Sequence, residues 1–307
     1  MKWAGGKSRL LDTLLASLPG SAKARFPTYA EPFCGGGAMF FRLAAENRFE
    51  RAFLADKNPE LVTLYQVIKA DVEPLIRRLR RMQDAHDARS PAEQSLHFYE
   101  VRRQSTEGMA PVDRAARLVF LNRTCFNGLW RVNASGQFNV PFGKYDKPKI
   151  LDADVLRSAN VALARATIVE GDFASVLGQL KRGDFAYFDP PYVPVSKTAS
   201  FTAYAVGRFG PEEQARLVRE LLVLRKRGVN AMLSNAATAA TRKLYEEQQL
   251  FVRMVKAGRS INSDPSKRGS VDELVVTTYS ADSEAGVVSC SASRASNARR
   301  TLDRRAV

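Results

Sequence analysis

The residues best equipped for chemistry lie in the run Gly183-Asp184-Phe185-Ala186-Tyr187-Phe188-Asp189-Pro190-Pro191-Tyr192. Phe185 to Phe188 suit the interior of a buried strand, and Asp-Pro-Pro cannot prolong one. Each proline fixes its own φ and biases the residue before it toward extended backbone. Asp189 is therefore expected at the carboxyl end of a strand, where open α/β sheets bind ligands. The plainer reading is a polar turn that ends a strand. The fuller one uses all three groups on a base amine, a poor nucleophile because its lone pair is delocalised into the ring. Asp189 would accept one N–H of the amine and the Pro190 carbonyl the other, drawing the nitrogen toward tetrahedral geometry. Tyr192 would stack on the base. A base that leaves its helix to reach such a site costs a few kcal/mol of unpairing and unstacking.

A second group of residues suits a nucleoside. Tyr29-Ala30-Glu31-Pro32-Phe33-Cys34-Gly35-Gly36-Gly37-Ala38 reads as strand, glycine turn and helix start. Consecutive glycines let a ligand lie against bare backbone at a helix N-terminus. The spacing is not that of the dinucleotide fingerprint. Ala52 to Asp56 reads as a second strand ending in an acid, the kind of residue that accepts hydrogen bonds from ribose hydroxyls. Its alternative is an ordinary turn at Asp56-Lys57-Asn58-Pro59. Ala166 to Phe173 is a third strand, ending in Asp172 and the Phe173 ring. Near the start, Lys2-Trp3-Ala4-Gly5-Gly6-Lys7-Ser8-Arg9 forms a glycine-containing loop before an apolar helix, Leu10 to Leu18, that stops at Pro19-Gly20. It lacks the P-loop spacing. Taken together, these features suit methyl transfer from S-adenosylmethionine, which needs no metal and no covalent link to the protein, only positioning and electrostatics.

The elements that must hold these residues alternate as α/β, with one interruption. Residues 60–120 read as helices, with Leu61, Leu64, Tyr65 and Ile68 on one face and Leu75, Ile76 and Leu79 on another. The basic run Arg77, Arg78, Arg80, Arg81 is either a solvated face or a phosphate contact. Leu129 to Asn133 and Gln137 to Val140 alternate as two strands of a hairpin closed by Ala134-Ser135-Gly136. Such a ribbon fits a major groove, where Arg131 would read guanine with both prongs; the alternative is a surface hairpin with an exposed arginine. Beyond residue 150 the alternation resumes. Residues 193–210 read as a mobile loop over the site. Pro211 opens a helix that ends before Gly228, and Val229 to Leu233 is a strand. A helix around Thr241 to Gln249 and strands Phe251 to Lys256 and Asp272 to Tyr279 complete the fold. The Ser/Ala/Arg-rich segment after Ser280 is expected to be disordered.

The 307 residues carry 47 Lys+Arg against 32 Asp+Glu, a net charge of +15 that favours a polyanionic partner such as nucleic acid. Cys34, Cys125 and Cys290 offer no disulfide framework, which fits a reducing cytoplasm. His86 and His97 are the only histidines, so no His-rich metal site, and no metal, is expected. No signal peptide or membrane-spanning run is apparent.

The motifs in order are Lys-Trp-Ala-Gly-Gly-Lys, Glu-Pro-Phe-Cys-Gly-Gly-Gly-Ala and Asp-Lys-Asn, then Phe-Asn-Gly-Leu-Trp-Arg-Val-Asn, Gly-Gln-Phe-Asn-Val-Pro-Phe-Gly-Lys-Tyr, Asp-Pro-Pro-Tyr and Lys-Arg-Gly. Over about residues 2–280 the sequence resembles the Dam-type (D12 class, group alpha) DNA adenine N6-methyltransferases. The resemblance implies a Rossmann-like α/β methyltransferase sheet with an inserted helical and β-hairpin DNA-recognition domain. The expected division is 1–59 and 151–280 for the catalytic domain, 60–150 for target recognition and 281–307 for a basic tail. It also implies S-adenosyl-L-methionine as donor, S-adenosyl-L-homocysteine as product, and catalysis by Asp189, Pro190 and Tyr192. Trp3, Lys7, Glu31, Pro32, Phe33, Gly35, Gly37, Asp56, Asp172, Phe173 and Asp189 would line the cofactor, with Asp172 and Phe173 on its adenine. Leu129, Arg131 and Pro141 would read a GATC-like site, Phe126 and Asn127 would fill the gap left by the flipped adenine, and Asn133, Lys267 and Arg268 would add DNA contacts. Family members more often carry Tyr at the Phe126 position and Cys-Arg-Tyr where this chain has Trp130-Arg131-Val132, which leaves the exact recognition sequence open. The chain begins almost on the family's first motif. The expected partner is double-stranded DNA, with no membrane, for a cytoplasmic, DNA-associated monomer; whether a cognate restriction endonuclease accompanies it is left open by the sequence. Cytosine N4 or RNA adenine as the target, and a non-catalytic DNA-binding module, remain the alternatives.

Overall fold

The computed structural model describes residues 3, 7, 10–20, 23–191, 209–258 and 270–280. Among them, seven strands form one sheet: β1 (Phe26–Glu31), β2 (Phe49–Asp56), β3 (Ala166–Glu170), β4 (Phe185–Phe188), β5 (Asn230–Ala236), β6 (Phe251–Gly258) and β7 (Ser270–Thr277). Their order is β3-β2-β1-β4-β5-β7-β6. The first five run parallel, and β7 lies antiparallel between β5 and β6. This is a Rossmann-like doubly wound sheet. From β1 the chain turns toward β2 on one side, and from β4 toward β5 on the other. The crevice between the carboxyl ends of β1 and β4 is thus the topological switch point, where ligands enter such sheets.

The register of that crevice is pinned by a buried acid. Asp184, at the start of β4, accepts the Thr28 amide of β1 at 2.9 Å and the Lys181 amide at 2.7 Å. All four residues of β4 are buried, as parallel strands covered on both faces require. Two apolar clusters fill the two faces, one around Tyr29, Phe49 and Phe185, the other around Phe173, Phe188 and Leu217.

Helices α1 (Leu11–Leu15) and α2 (Ala38–Ala45) flank β1 in sequence, and α8 (Pro211–Lys226) and α9 (Ala239–Glu246) follow β4 and β5. Between β2 and β3 the chain inserts α3 (Pro59–Ala70), α4 (Val72–Asp87), α5 (Pro91–Arg103), α6 (Pro111–Thr124), an irregular ribbon and α7 (Ala153–Leu163). Their starts are chemically explicit. Asn58 and Asp71 accept the Glu60 and Glu73 amides, and Ser90 forms a capping box with Glu93. The insertion shares the first core cluster with the sheet: Leu64, Leu79, Phe98 and Phe120 belong to the same buried group as Phe49 and Phe185. α3 touches β2, β3, α6 and α7 and so stitches the two parts together.

Two local expectations are corrected. The first helix stops at Leu15 rather than running to Leu18. Ser17 turns its hydroxyl onto the Thr13 carbonyl at 2.8 Å, and Pro19-Gly20 follows, so the chain closes in turns. The second concerns residues 129–140, which form no regular strands. The ribbon has isolated bridges, Val132 to Phe138 and Cys125 to Phe142, instead of a ladder. Its tip is closed by a side chain: the Asn133 Oδ1 accepts the Ser135 amide at 3.0 Å and the Gln137 amide at 2.9 Å. An Asx turn of this kind competes with ladder pairing. Residues 192–208, 259–269 and 281–307, which hold the expected loop over the site and the expected tail, lie outside the described residues.

Candidate active site

The site forms at the carboxyl edge of the parallel strands, because β1, β2, β4 and β5 each deliver a polar group there. After β1 the chain turns sharply at Gly35 (φ +47) and Gly37 (φ +66) before entering α2. A Cβ on Gly37 would come within 2.9 Å of the Phe41 ring, and one on Gly36 within 3.0 Å of the Trp3 Cβ. The turn is therefore bare backbone for a steric reason, and Trp3 lies across it. It is also clamped. Asp56, at the end of β2, accepts the Gly35 amide through Oδ2 and the Asn58 amide through Oδ1, both at 2.8 Å. Tyr65 of α3 donates to the Gly35 carbonyl at 2.7 Å. Burial pushes the Asp56 carboxyl up, against the pull of those two amides.

Asp189 follows β4 directly. The Lys7 ammonium pairs with its Oδ1 at 2.6 Å, and the Ser234 hydroxyl of β5 donates to the same oxygen at 3.1 Å. Ser234 also lies 2.9 Å from the Tyr187 hydroxyl. Burial pushes the Asp189 carboxyl up, while Lys7 and Ser234 draw it down. Pro190 is buried. Tyr192 lies outside the described residues.

Glu31 and Pro32 sit lower, buried beneath the glycine turn. The Glu31 Oε2 accepts the Tyr29 hydroxyl at 2.7 Å and the Phe40 amide at 2.9 Å. Burial pushes its carboxyl up to about 8, so it is protonated at neutral pH. On the β3 side, Phe33 stacks on buried Phe173 at 5.3 Å, and Phe209 meets Phe33 edge-on at 5.4 Å. Asp172 accepts the Ala174 amide at 3.0 Å and pairs with Arg216 at 2.5 Å and Lys57 at 3.0 Å. Burial alone would raise this carboxyl, but Arg216, the Ala174 amide and Lys57 outweigh it and bring it to about 2. Trp3, Lys7, Phe33, Gly35, Gly37, Asp56, Asp172, Phe173 and Asp189 are thus gathered along one edge of the sheet.

The residues expected to meet DNA lie on the insertion. Phe126 is 45% exposed, and its amide bonds the carbonyl of exposed Pro141 at 2.9 Å. Asn127 takes φ +55 in a 3-10 turn, Phe126–Gly128. Leu129 is half-buried. Arg131 is exposed and donates through Nε to Asn139 Oδ1 at 2.7 Å. Asn133 shapes the tip of the ribbon. Lys267 and Arg268 lie outside the described residues.

Sequence reasoning missed four residues. Ser234 holds Asp189, Tyr65 holds the glycine turn, Phe209 packs on Phe33, and Arg216 pairs with Asp172 while its guanidinium lies 4.4 Å from the Phe173 ring centroid. Ser234 alone had a visible signal, a polar pair Ser234-Asn235 ending an apolar strand.

A family model described as D12 class N6 adenine-specific DNA methyltransferase matches residues 3–259. The chain is 38% identical over 285 residues to the Type II methyltransferase M.MjaIII of Methanocaldococcus jannaschii, covering 91% of this chain and 98% of that protein. It is 37% identical to the Type II methyltransferase M1.LlaDCHI of Lactococcus lactis subsp. cremoris, covering 91% and 94%. The DNA adenine methylase of Escherichia coli is 34% identical over 275 residues, covering 90% and 93%. Among solved structures, a precorrin-6y C5,15-methyltransferase from Geobacter metallireducens overlaps with a TM-score of 0.38 at 9% identity, over 88% of this chain and 86% of that one.

Proposed function

The chain belongs to the D12 class of N6 adenine-specific DNA methyltransferases, and from that premise we propose that it moves a methyl group from S-adenosylmethionine to adenine N6 in a GATC-like duplex site, after flipping the adenine out of the helix. The observation that carries this is the position of Asp189 at the switch-point crevice, one strand from the bare glycine turn, with Lys7 and Ser234 both on Oδ1. Among the described contacts Oδ2 has no partner, and it is the oxygen left to accept an amine N–H.

The residues fit the cofactor. Bare glycine backbone between β1 and the N-terminus of α2 suits close approach by a ligand. Asp56 is fixed by two backbone amides, and its remaining lone pairs suit ribose hydroxyls. Phe33, Asp172 and Phe173 would hold the adenine ring, and Trp3, Lys7 and Asp189 the amino-acid end. When bound, S-adenosylmethionine supplies an electrophilic methyl on a sulfonium. Everything else falls to the protein. Asp189 and the Pro190 carbonyl orient the amine and hold its two N–H bonds, so that its lone pair is free to react. Phe126 and Asn127 suit the gap a flipped base leaves, since one is an exposed ring and the other sits in a tight turn. Arg131 and Leu129 read base edges, and a monomer carries every one of these groups. The Type II methyltransferase names of two relatives support a restriction endonuclease as a partner in the cell.

The test is methyl transfer from labelled S-adenosylmethionine to unmethylated GATC duplexes and to scrambled ones. Label on adenine N6 in GATC alone supports the whole reading. Label at a different sequence moves the error to Trp130 and its neighbours. No label on any DNA, with cofactor bound, overturns the substrate.

A further inference from the structure

Trp3 and Trp130 are the chain's two tryptophans. Their rings stack with centroids 6.2 Å apart and planes at 18°. Trp3 lies on the glycine turn: a Cβ on Gly35 would meet its ring at 3.2 Å. Trp130 belongs to the ribbon, between Leu129 and Arg131, and its other ring contact is Phe138 at 4.7 Å. Phe138 is buried and bridges to Val132 across the ribbon. A row of rings thus runs from the cofactor turn to the base of the segment that carries Arg131. Among the described aromatic pairs it is the one that joins the glycine-turn segment to the ribbon. Within the ribbon the pairing is isolated bridges and an Asn133 turn. Its base is held on the insertion side by buried Phe138 and Val140 and by Arg102, which donates to the Val140 carbonyl at 3.2 Å; the Trp130 ring is what faces the glycine-turn side.

We propose that Trp130 is a positioning residue that couples occupancy of the cofactor turn to the seating of the ribbon on DNA, by way of Trp3. The proposal rests on the S-adenosylmethionine reading above. A ligand pressed into the turn restricts Trp3. A restricted Trp3 restricts Trp130, and the ribbon then meets DNA already held. Coupling of this kind is reciprocal: cofactor tightens DNA by the factor by which DNA tightens cofactor. The size expected is that of one aromatic pair, about two- to tenfold in affinity.

The experiment uses the full chain and a fluorescein-labelled GATC duplex, titrated with and without saturating S-adenosylhomocysteine. Calorimetry measures S-adenosylhomocysteine binding without DNA. Wild type is expected to bind the duplex about two- to tenfold more tightly with the ligand. Trp130→Leu is expected to lose that ratio while still binding S-adenosylhomocysteine alone, and Trp130→Phe to restore it. With Trp130→Phe, Trp3 is the one tryptophan left, and its emission should shift on adding either ligand. A wild-type ratio retained in Trp130→Leu overturns the proposal, as does a ratio of one in a wild type that binds the ligand. No ligand binding by wild type overturns the cofactor reading itself, and the coupling with it.

Discussion

Removing the Ser234 hydroxyl separates what holds Asp189 from what pairs with it. In Ser234→Ala the Lys7 ammonium stays 2.6 Å from Oδ1, and one hydrogen bond of 3.1 Å to that oxygen is lost. A hydrogen bond to a charged group contributes about 1.5–3 kcal/mol. The low end applies here, because Lys7 remains and the Asp189 side chain is 20% exposed. About 1.5 kcal/mol is roughly tenfold in kcat/KM. The pH profile is the sharper readout. Burial raises the Asp189 carboxyl and Ser234 helps to lower it, so its loss should raise it further. In the proposed role Asp189 works as an ionised acceptor, and a proton on it weakens that acceptor, so activity is expected to fall as pH falls through its pKa. The acid limb of kcat/KM should therefore move to higher pH in Ser234→Ala, and the deficit should shrink toward alkaline pH. Methyl transfer to a GATC duplex across that range measures both. An unmoved acid limb, or one displaced to lower pH, would refute the reasoning whatever the loss at neutral pH.

Asp189→Ala should abolish methyl transfer while DNA binding persists; anisotropy falling to the non-specific level would contradict it. Arg131→Ala should cost about 1–3 kcal/mol at one guanine and relax specificity there, whereas uniform weakening on every sequence would make Arg131 a phosphate contact. Gly37→Ala forces a side chain into φ +66 with its Cβ 2.9 Å from the Phe41 ring, so it should lose about 1–2 kcal/mol of stability in a denaturant titration and bind S-adenosylhomocysteine more weakly. Glu31→Gln copies the protonated acid. The folded carboxyl titrates at about 8, above its unfolded value, so the wild type loses stability progressively as pH rises through that interval. The variant should therefore melt above wild type at mildly alkaline pH and level with it at acid pH; a gap that is constant with pH would rule this out.

The site was legible where chemistry is local in sequence. Asp189, Asp56 and Asp172 each follow a strand whose apolar run and terminal acid are visible in a short window. The glycine turn announces itself by composition. Ser234 showed only as the polar end of an apolar strand and Arg216 not at all, and their roles were out of reach for a physical reason. They act across strands and helices, and their partners, Asp189 and Asp172, lie 45 and 44 positions away in the chain. The ribbon misled for a related reason. Its alternation of apolar and polar residues is real, with Phe138 and Val140 buried, but Asn133 spends its side chain on the backbone and a regular ladder does not form. The first helix ended early through the same competition, with Ser17 in place of Asn133.

Because the helices of the insertion share one apolar core with a face of the sheet, the insertion proposed to read DNA and the sheet proposed to carry the reaction should melt in a single transition. Excising the insertion would expose Leu64, Leu79 and Phe98 on one piece and Phe49 on the other, so neither half is expected to fold alone. Only the tip of the ribbon stands outside that constraint: residues 134–137 are exposed and ordered by the Asn133 turn, whereas Phe138 and Val140 are buried in the shared core. On the proposed reading, a lineage that changes its target sequence can rewrite the exposed tip and leave the buried base intact. On the coupling proposed for it, Trp130 marks the limit of that freedom, because its ring stacks on Trp3 and a substitution there should be felt at the glycine turn as well.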